Sequence, residues 1–293
     1  MKTLTIFTPT YNRSYSLPNL YKSMVEQQCA DFMWLIVDDG STDDTKQLVK
    51  EWQDEGKIEI TYIYQSNGGK MKAHNRGVLE CQTPLFFCVD SDDYLTPDSV
   101  SRILANFPSI IKSDKICGML ARRKIINRKS SSNMPDVKYL TMHELYALGF
   151  CGDTSIVFKT SVIKKYMFPE IQGEKFITEA YIYDQIDQCY NYLVVNEDFM
   201  VCEYQEDGYT HNSLSLKVKY PRGWALYYAQ YYKFYALSLR DKIKYMGYYI
   251  ASMIQAKQSF KRIIKESPSS FYCLVAFIVG VYFYKRDFSN LIS

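Results

Sequence analysis

The sequence predicts an α/β protein with a mostly parallel sheet flanked by helices, on three observations. From residue 4 to about residue 107, apolar runs of strand formers alternate with segments of helical periodicity. Several of these runs end in acidic or polar residues, as expected of buried parallel strands that deliver chemistry to one sheet edge. Beyond about Lys217 the alternation stops and only helical spacing remains, so a helical extension follows the sheet.

Residues 4–9 form the expected first strand, with Thr10-Tyr11-Asn12-Arg13 as the loop at its carboxyl end. Leu17, Leu20, Tyr21 and Met24 then recur at helical spacing after Ser16. Phe32 to Val37 is a second strand ending in Asp38-Asp39-Gly40-Ser41, and Leu48, Val49 and Trp52 give the next helix its apolar face. Ile58 to Tyr64 is the third strand. Gln65-Ser66-Asn67-Gly68-Gly69 turns into a helix around Ala73 to Leu79. The strict βα alternation implies parallel strands joined by right-handed crossovers.

The fourth strand, 85–89, ends in Asp90-Ser91-Asp92-Asp93, three carboxylates within four positions. One Asp would cap the helix that starts near Pro97; three exceed that need. Carboxylates this close repel, and keeping them ionised calls for a cation or several hydrogen-bond donors. On the cation reading this is a metal–diphosphate site. Further on, a helix from Pro97 to about Phe107 leads to a strand at Ile116 to Leu120. Arg122 to Asp136 reads as a mobile loop without regular structure. Thr154 to Phe158 is another strand, Thr178 to Cys189 a helix, and Tyr192–Val195 and Met200–Tyr204 two closing strands.

Charge divides the chain. Residues 212–293 carry 13 Lys/Arg against 3 Asp/Glu, whereas residues 1–211 carry 22 against 29. The basic part also holds 12 of the 27 tyrosines, and its run Phe271 to Tyr284 is 14 residues without a charge. That run is short for a membrane span and suits a buried or interfacial helix, so an anionic membrane surface is a candidate partner and nucleic acid is disfavoured. A helix with an aromatic stripe is expected from Trp224, and a second from about Tyr245 to Lys265. The eight scattered cysteines read as reduced core residues, and no signal peptide is expected before the first strand. Both features imply a cytoplasmic protein, with a peripheral position on the inner membrane face as an option.

Three motifs stand in order: Phe7-Thr8-Pro9-Thr10-Tyr11-Asn12-Arg13, Val37-Asp38-Asp39-Gly40-Ser41-Thr42-Asp43 and Val89-Asp90-Ser91-Asp92-Asp93. Together they resemble the family 2 glycosyltransferases, inverting enzymes of the GT-A (Rossmann-like) fold, over roughly residues 1–210. The resemblance implies a catalytic domain at 1–211, followed by the basic, aromatic helical region at 212–293. It implies transfer of a sugar from a UDP-sugar to a saccharide acceptor, with Mn²⁺ or Mg²⁺, in surface-polysaccharide or lipid-linked glycan synthesis.

Residue by residue, the resemblance makes Asp39 the acceptor of the uracil N3–H, with Thr8, Pro9 and Tyr11 as the facing wall of the base pocket. Asp38 would support the turn instead. Arg13 would reach a phosphate or lie in solvent. Asp90 would hold ribose hydroxyls beside Ser91, and Asp92 would be the main metal ligand, joined by the late histidine His211. Lys70, Lys72 and Asn75 follow a glycine turn at a helix start, which suits phosphate or ribose; a solvated helix face explains their charges equally well. The general base falls to Glu179, where the family often has an acidic pair and this chain has one acid. Asp153, in Gly152-Asp153-Thr154, is the reserve.

Two other readings remain open from the sequence. One is a non-catalytic sugar-nucleotide or glycan binding module of the same fold. The other is a nucleotidyltransferase, which would want a glycine-rich basic loop after the first strand, where Thr10-Tyr11-Asn12-Arg13 has no glycine.

Overall fold

The structure, a computed structural model, describes residues 2–126, 132–202 and 213–288. In chain order the first half comprises β1 (Leu4–Thr10), α1 (Leu17–Val25), β2 (Phe32–Asp38), α2 (Thr45–Glu55), β3 (Ile60–Tyr64), α3 (Lys70–Glu80), β4 (Leu85–Cys88), β5 (Tyr94–Leu95) and α4 (Ser99–Ile111). Next come β6 (Ile116–Ile125), β7 (Tyr139–Leu140), α5 (Met142–Ala147), β8 (Thr154–Lys159), α6 (Thr160–Ile163), α7 (Ala180–Asp187) and β9 (Asn191–Cys202). Six helices follow: α8 (Ser213–Lys219), α9 (Pro221–Phe234), α10 (Leu239–Gln255), α11 (Phe260–Glu266), α12 (Ser270–Val275) and α13 (Phe277–Asp287).

The chain forms two compact units, Met1–Met167 with Gln185–Gln205, and Phe168–Asp184 with Glu206–Ser293. The first unit carries one sheet in the order β3-β2-β1-β4-β8-β6-β9-β5, with β7 on β9. Strands β1 to β4 pair in parallel, as the alternation requires. Strand β8 departs from the expectation: it lies antiparallel between β4 and β6. Because both neighbours oppose it, β6 runs the same way as β4, and β9 pairs parallel to β6. The sheet is therefore mostly parallel with one long reversed strand.

Apolar side chains fill both faces of β1. On one face Leu4 and Ile6 meet Leu17, Leu20 and Met24 of α1, all 0–1% exposed. Tyr21, Trp34 and Trp52 stack beside them, with Tyr21 and Trp52 ring centres 4.4 Å apart. On the other face Phe7 stacks on Phe86 at 5.2 Å, and His74 of α3 meets both rings edge-on. Helix α3 can come this close because residue 77 is glycine, where a Cβ would sit 2.3 Å from the Phe7 ring. Burying each such side chain contributes roughly 1.5–3 kcal/mol, which fixes the strand ends that carry the site.

Three other expectations are corrected. Residues 122–125 are not loop, because β6 runs on to Ile125 in register with β9. The two closing strands are one, β9, whose irregular register against β6 absorbs the polar stretch at Asn196–Asp198. The helix expected over 245–265 breaks at Lys257, whose φ of 55° is left-handed, and restarts at the Ser259 N-cap.

In the second unit, α9 to α13 enclose a core that includes Tyr228, Met246, Ile250, Met253 and Cys273. Segment 168–184 ties onto α9. The Glu174 carboxylate accepts the Arg222 and Gly223 amides, each at 2.8 Å, satisfying two donors of the helix start, and Gln230 donates to the Tyr181 carbonyl. The apolar run 271–284 is split between α12 and α13 at Ala276.

Candidate active site

Strands β1, β2 and β4 end side by side, so the loops after Thr10, Asp38 and Cys88 meet at one sheet edge. The first two loops are tied to each other. Asn12, held at φ 52°, donates its amide to the Ser41 hydroxyl and accepts from the Thr42 amide, both at 2.8 Å. The Ser14 amide donates to Asp43 at 2.9 Å, and this bond helps hold the Asp43 carboxyl below its ordinary range despite burial.

The adjacent carboxylates Asp38 and Asp39 take different tasks. Asp38 is fully buried and accepts from the Ser41 amide at 2.7 Å and the Tyr62 hydroxyl at 2.5 Å. It holds the turn, and with burial its charge pushes the Tyr62 hydroxyl pKa up. Asp39 accepts from Gln65 (2.7 Å) and from the Gly68 (2.9 Å) and Gly69 (2.7 Å) amides. It thereby fixes the loop that leads into α3, a link the sequence did not reveal.

The acidic loop after β4 is sorted by its cations. Lys70, the first residue of α3, clasps Asp90 with its ammonium 2.8 and 3.0 Å from the two carboxylate oxygens. Burial raises the Asp90 carboxyl, but Lys70 and then Arg123 outweigh it and hold it below the usual value. Arg123, on β6, stands 3.6 Å from Asp93 and donates to the Thr154 carbonyl at 2.8 Å. Among the described residues no cation lies within ion-pair distance of Asp92, and burial together with the Asp90 charge pushes its carboxyl up.

Asp93 is buried, and burial pushes its carboxyl up to about 7 even though Arg123 opposes the shift. A folded-state pKa above the unfolded one means that the folded chain retains a proton the unfolded chain gives up. Stability from this group is full below its ordinary 3.8 and is lost as pH rises to about 7. Asp93→Asn should flatten that part of the profile of melting temperature against pH in a chelator-containing buffer. A profile as steep as that of the wild type would place the titration elsewhere.

Thr8 is fully buried and its hydroxyl accepts the Trp34 indole N–H at 2.9 Å, so that hydroxyl serves the core. Pro9 is buried, whereas Tyr11 is 48% exposed beside the tied loops. Arg13 bonds the Tyr15 hydroxyl, and its charge reaches Asp92. Ser91 is buried, Lys72 exposed and Asn75 half-buried on α3. Lys70 already holds Asp90. Asp153 precedes β8, whose antiparallel register brings its start to the edge where β4 ends. Glu179 lies in the second unit, and its carbonyl accepts the Ile182 and Tyr183 amides at the start of α7. His211 lies outside the described residues.

Arg123 and the Asp93 partnership were missed. The signal was Arg122-Arg123-Lys124 directly after the apolar run 116–121, which is a strand carrying cations to the same edge rather than a polar loop.

A family description, Glycosyl transferase family 2, matches residues 5–167, more than half of the chain, from within β1 through β8. The chain belongs to this family. Among the family 2 relatives, the poly(ribitol-phosphate) β-N-acetylglucosaminyltransferase TarS of Staphylococcus aureus is 24% identical over 196 residues, covering 62% of this chain and 33% of TarS. Chondroitin synthase of Escherichia coli is 35% identical over 104 residues, covering 36% of this chain and 15% of the synthase. The chain thus spans a third or less of the length of these two. In three dimensions, TarS residues 1–349 in complex with UDP-GlcNAc superpose with a TM-score of 0.64 at 17% identity, covering 97% of this chain and 90% of that one. The mannosyltransferase PcManGT of Pyrobaculum calidifontis, in complex with GDP-Man and Mn²⁺, gives 0.55 at 14%, covering 95% and 87%. At these identities the likeness establishes the fold, GT-A with C-terminal helices.

Proposed function

We propose that the chain transfers a hexosyl or N-acetylhexosaminyl unit from a UDP-sugar to a saccharide acceptor, with inversion at the sugar. The observation that carries this reading is the placing of Asp39 and the Asp90–Asp92 loop at the ends of β2 and β4, on either side of β1. Asp39 would accept the uracil N3–H, on a carboxylate already fixed by three donors of the loop into α3, with Tyr11 packing on the base. Asp90 and Ser91 would serve the ribose, Asn75 the ribose or base, and Arg13 and Lys72 the phosphates.

The residues suit a divalent cation. Lys70 pairs with Asp90 and Arg123 with Asp93, so among the described residues Asp92 is the carboxylate of this loop left without an ion pair. Among the described residues no group of three acidic, His or Cys side chains forms a ready cage, so diphosphate oxygens and His211 would complete the shell. Bound Mn²⁺ or Mg²⁺ would supply charge stabilisation to the departing UDP. Glu179 is the proposed base that takes the acceptor hydroxyl proton, with Asp153 as the alternative at the sheet edge.

The acceptor we favour is a growing surface polysaccharide or lipid-linked saccharide at the inner membrane face, for which the basic, aromatic 212–293 region is the support. Screening UDP-sugars for thermal stabilisation, with and without Mn²⁺, and then for UDP release with saccharide acceptors tests the reading. Selective stabilisation by one UDP-sugar is expected, since binding to the folded state raises stability by mass action. Stabilisation without any transfer would favour a binding module of the same fold.

A further inference from the structure

The packing of α12 and α13 is the reverse of what a buried helix pair shows. Their small residues face inward: Cys273, Ala276 and Gly280 are buried, and a Cβ on Gly280 would stand 2.5 Å from Ile250 of α10. Their large apolar residues face outward. Ile278 is 82% exposed, Phe271 69%, Tyr282 60%, Leu274 56% and Val275 51%, which at this spacing makes one continuous outer face across the two helices. Phe260 of α11, itself half-exposed, meets Phe277 edge-on at 4.9 Å and so joins α11 to this face.

Helix α11 and the turn before it bring cations. Lys257, Lys261 and Lys265 are exposed, and among the described residues none has an acidic partner, while Arg262 is paired with Glu266. From Lys257 to Asp287, the end of α13, there are six Lys/Arg against two acids. An apolar face beside cations matches an anionic lipid surface, where the apolar residues enter the acyl boundary and the cations meet the headgroups. A second copy of the chain fits less well, because a two-fold contact through this face would bring the same cations together. The 11 described residues of α13 span about 16 Å, against a hydrocarbon core of about 30 Å. No described helix is long and apolar enough to cross a membrane.

We propose that the outer face of α12 and α13, with the α11 cations, docks this chain on the surface of an anionic bilayer. The inference concerns the second unit alone and stands apart from the donor reading. Flotation of the full chain with vesicles of phosphatidylcholine and phosphatidylglycerol in equal parts tests it, with phosphatidylcholine vesicles as the neutral arm.

The intact chain should float with the anionic vesicles, far less with the neutral ones, and should be released as salt rises. Ile278→Glu and Leu274→Glu should each lower the bound fraction about tenfold or more, because each places a charge in the apolar layer. Lys261→Glu should weaken binding to the anionic vesicles only. Melting temperature and UDP binding should be unchanged in all three variants, and UDP binding reports separately on the donor site. Absence of flotation by the intact chain, or equal flotation of the variants, overturns the proposal. Variants that split an oligomer instead assign the face to a second copy and also overturn it. If the Glu variants do not fold, Ile278→Ser replaces them, and failure of that variant to fold shows the face to be core.

Discussion

Glu179→Gln is expected to lower turnover by about 10²–10⁴-fold while UDP-sugar affinity stays near that of the intact chain, because a general base acts in the transition state and not in donor binding. The substitution removes the proton acceptor and keeps the size and hydrogen-bonding capacity of the side chain. Glu179 stands at the start of α7, on a segment anchored at Glu174 by two amides of α9 and at Tyr181 by Gln230. Single-turnover rates with saturating donor and acceptor give the measurement. Near-normal turnover would move the base to Asp153, and Asp153→Asn would then show the loss.

Asp92→Asn should remove the divalent-ion-dependent part of UDP binding without loss of stability. Both halves follow from the charge pattern of the acidic loop. Asp90 is held by Lys70 and Asp93 by Arg123, so neither needs an external cation in order to stay folded. Asp92 carries a charge that burial and Asp90 make costly, as the upward push on its carboxyl shows. Replacing it with a neutral amide relieves that cost, so the melting temperature at neutral pH should be equal or higher than that of the intact chain. Titration with UDP in Mn²⁺ and in chelator separates the two contributions. Unchanged metal dependence in the variant would remove Asp92 from the ligand set, and a large fall in melting temperature would contradict the charge assignment.

Much of the site was legible along the chain because it depends on local order. An apolar run followed by acids gives a strand and its functional end together, which is why Asp39 and Asp90 to Asp93 fall where the spacing puts them. That Asp38 supports its turn was also legible, but the partners these acids take from distant segments were not. Asp38 and Asp39 are neighbours of one type, yet one supports its own turn and the other fixes the loop at Gly68-Gly69; the alternation of side chains sends them to different partners. Arg123 was misread because a strand that continues past its apolar half into charged residues has the composition of a loop.

What the sequence determined by itself was the α/β class, the parallel arrangement of β1 to β4, the edge at which their loops meet and the change to helices after residue 217. Those features follow from hydrophobic periodicity and from the acids placed after it, which are properties of short stretches. Tertiary structure alone decided the reversed insertion of β8, the pairing of Lys70 with Asp90 and of Arg123 with Asp93, and the side of α13 that faces outward. Each of these is a choice of partner between residues distant in the chain. In α13 the periodicity could not choose, since the whole run 271–284 is uncharged; the close approach of Gly280 to Ile250 turned the small residues inward and left the large ones at the surface.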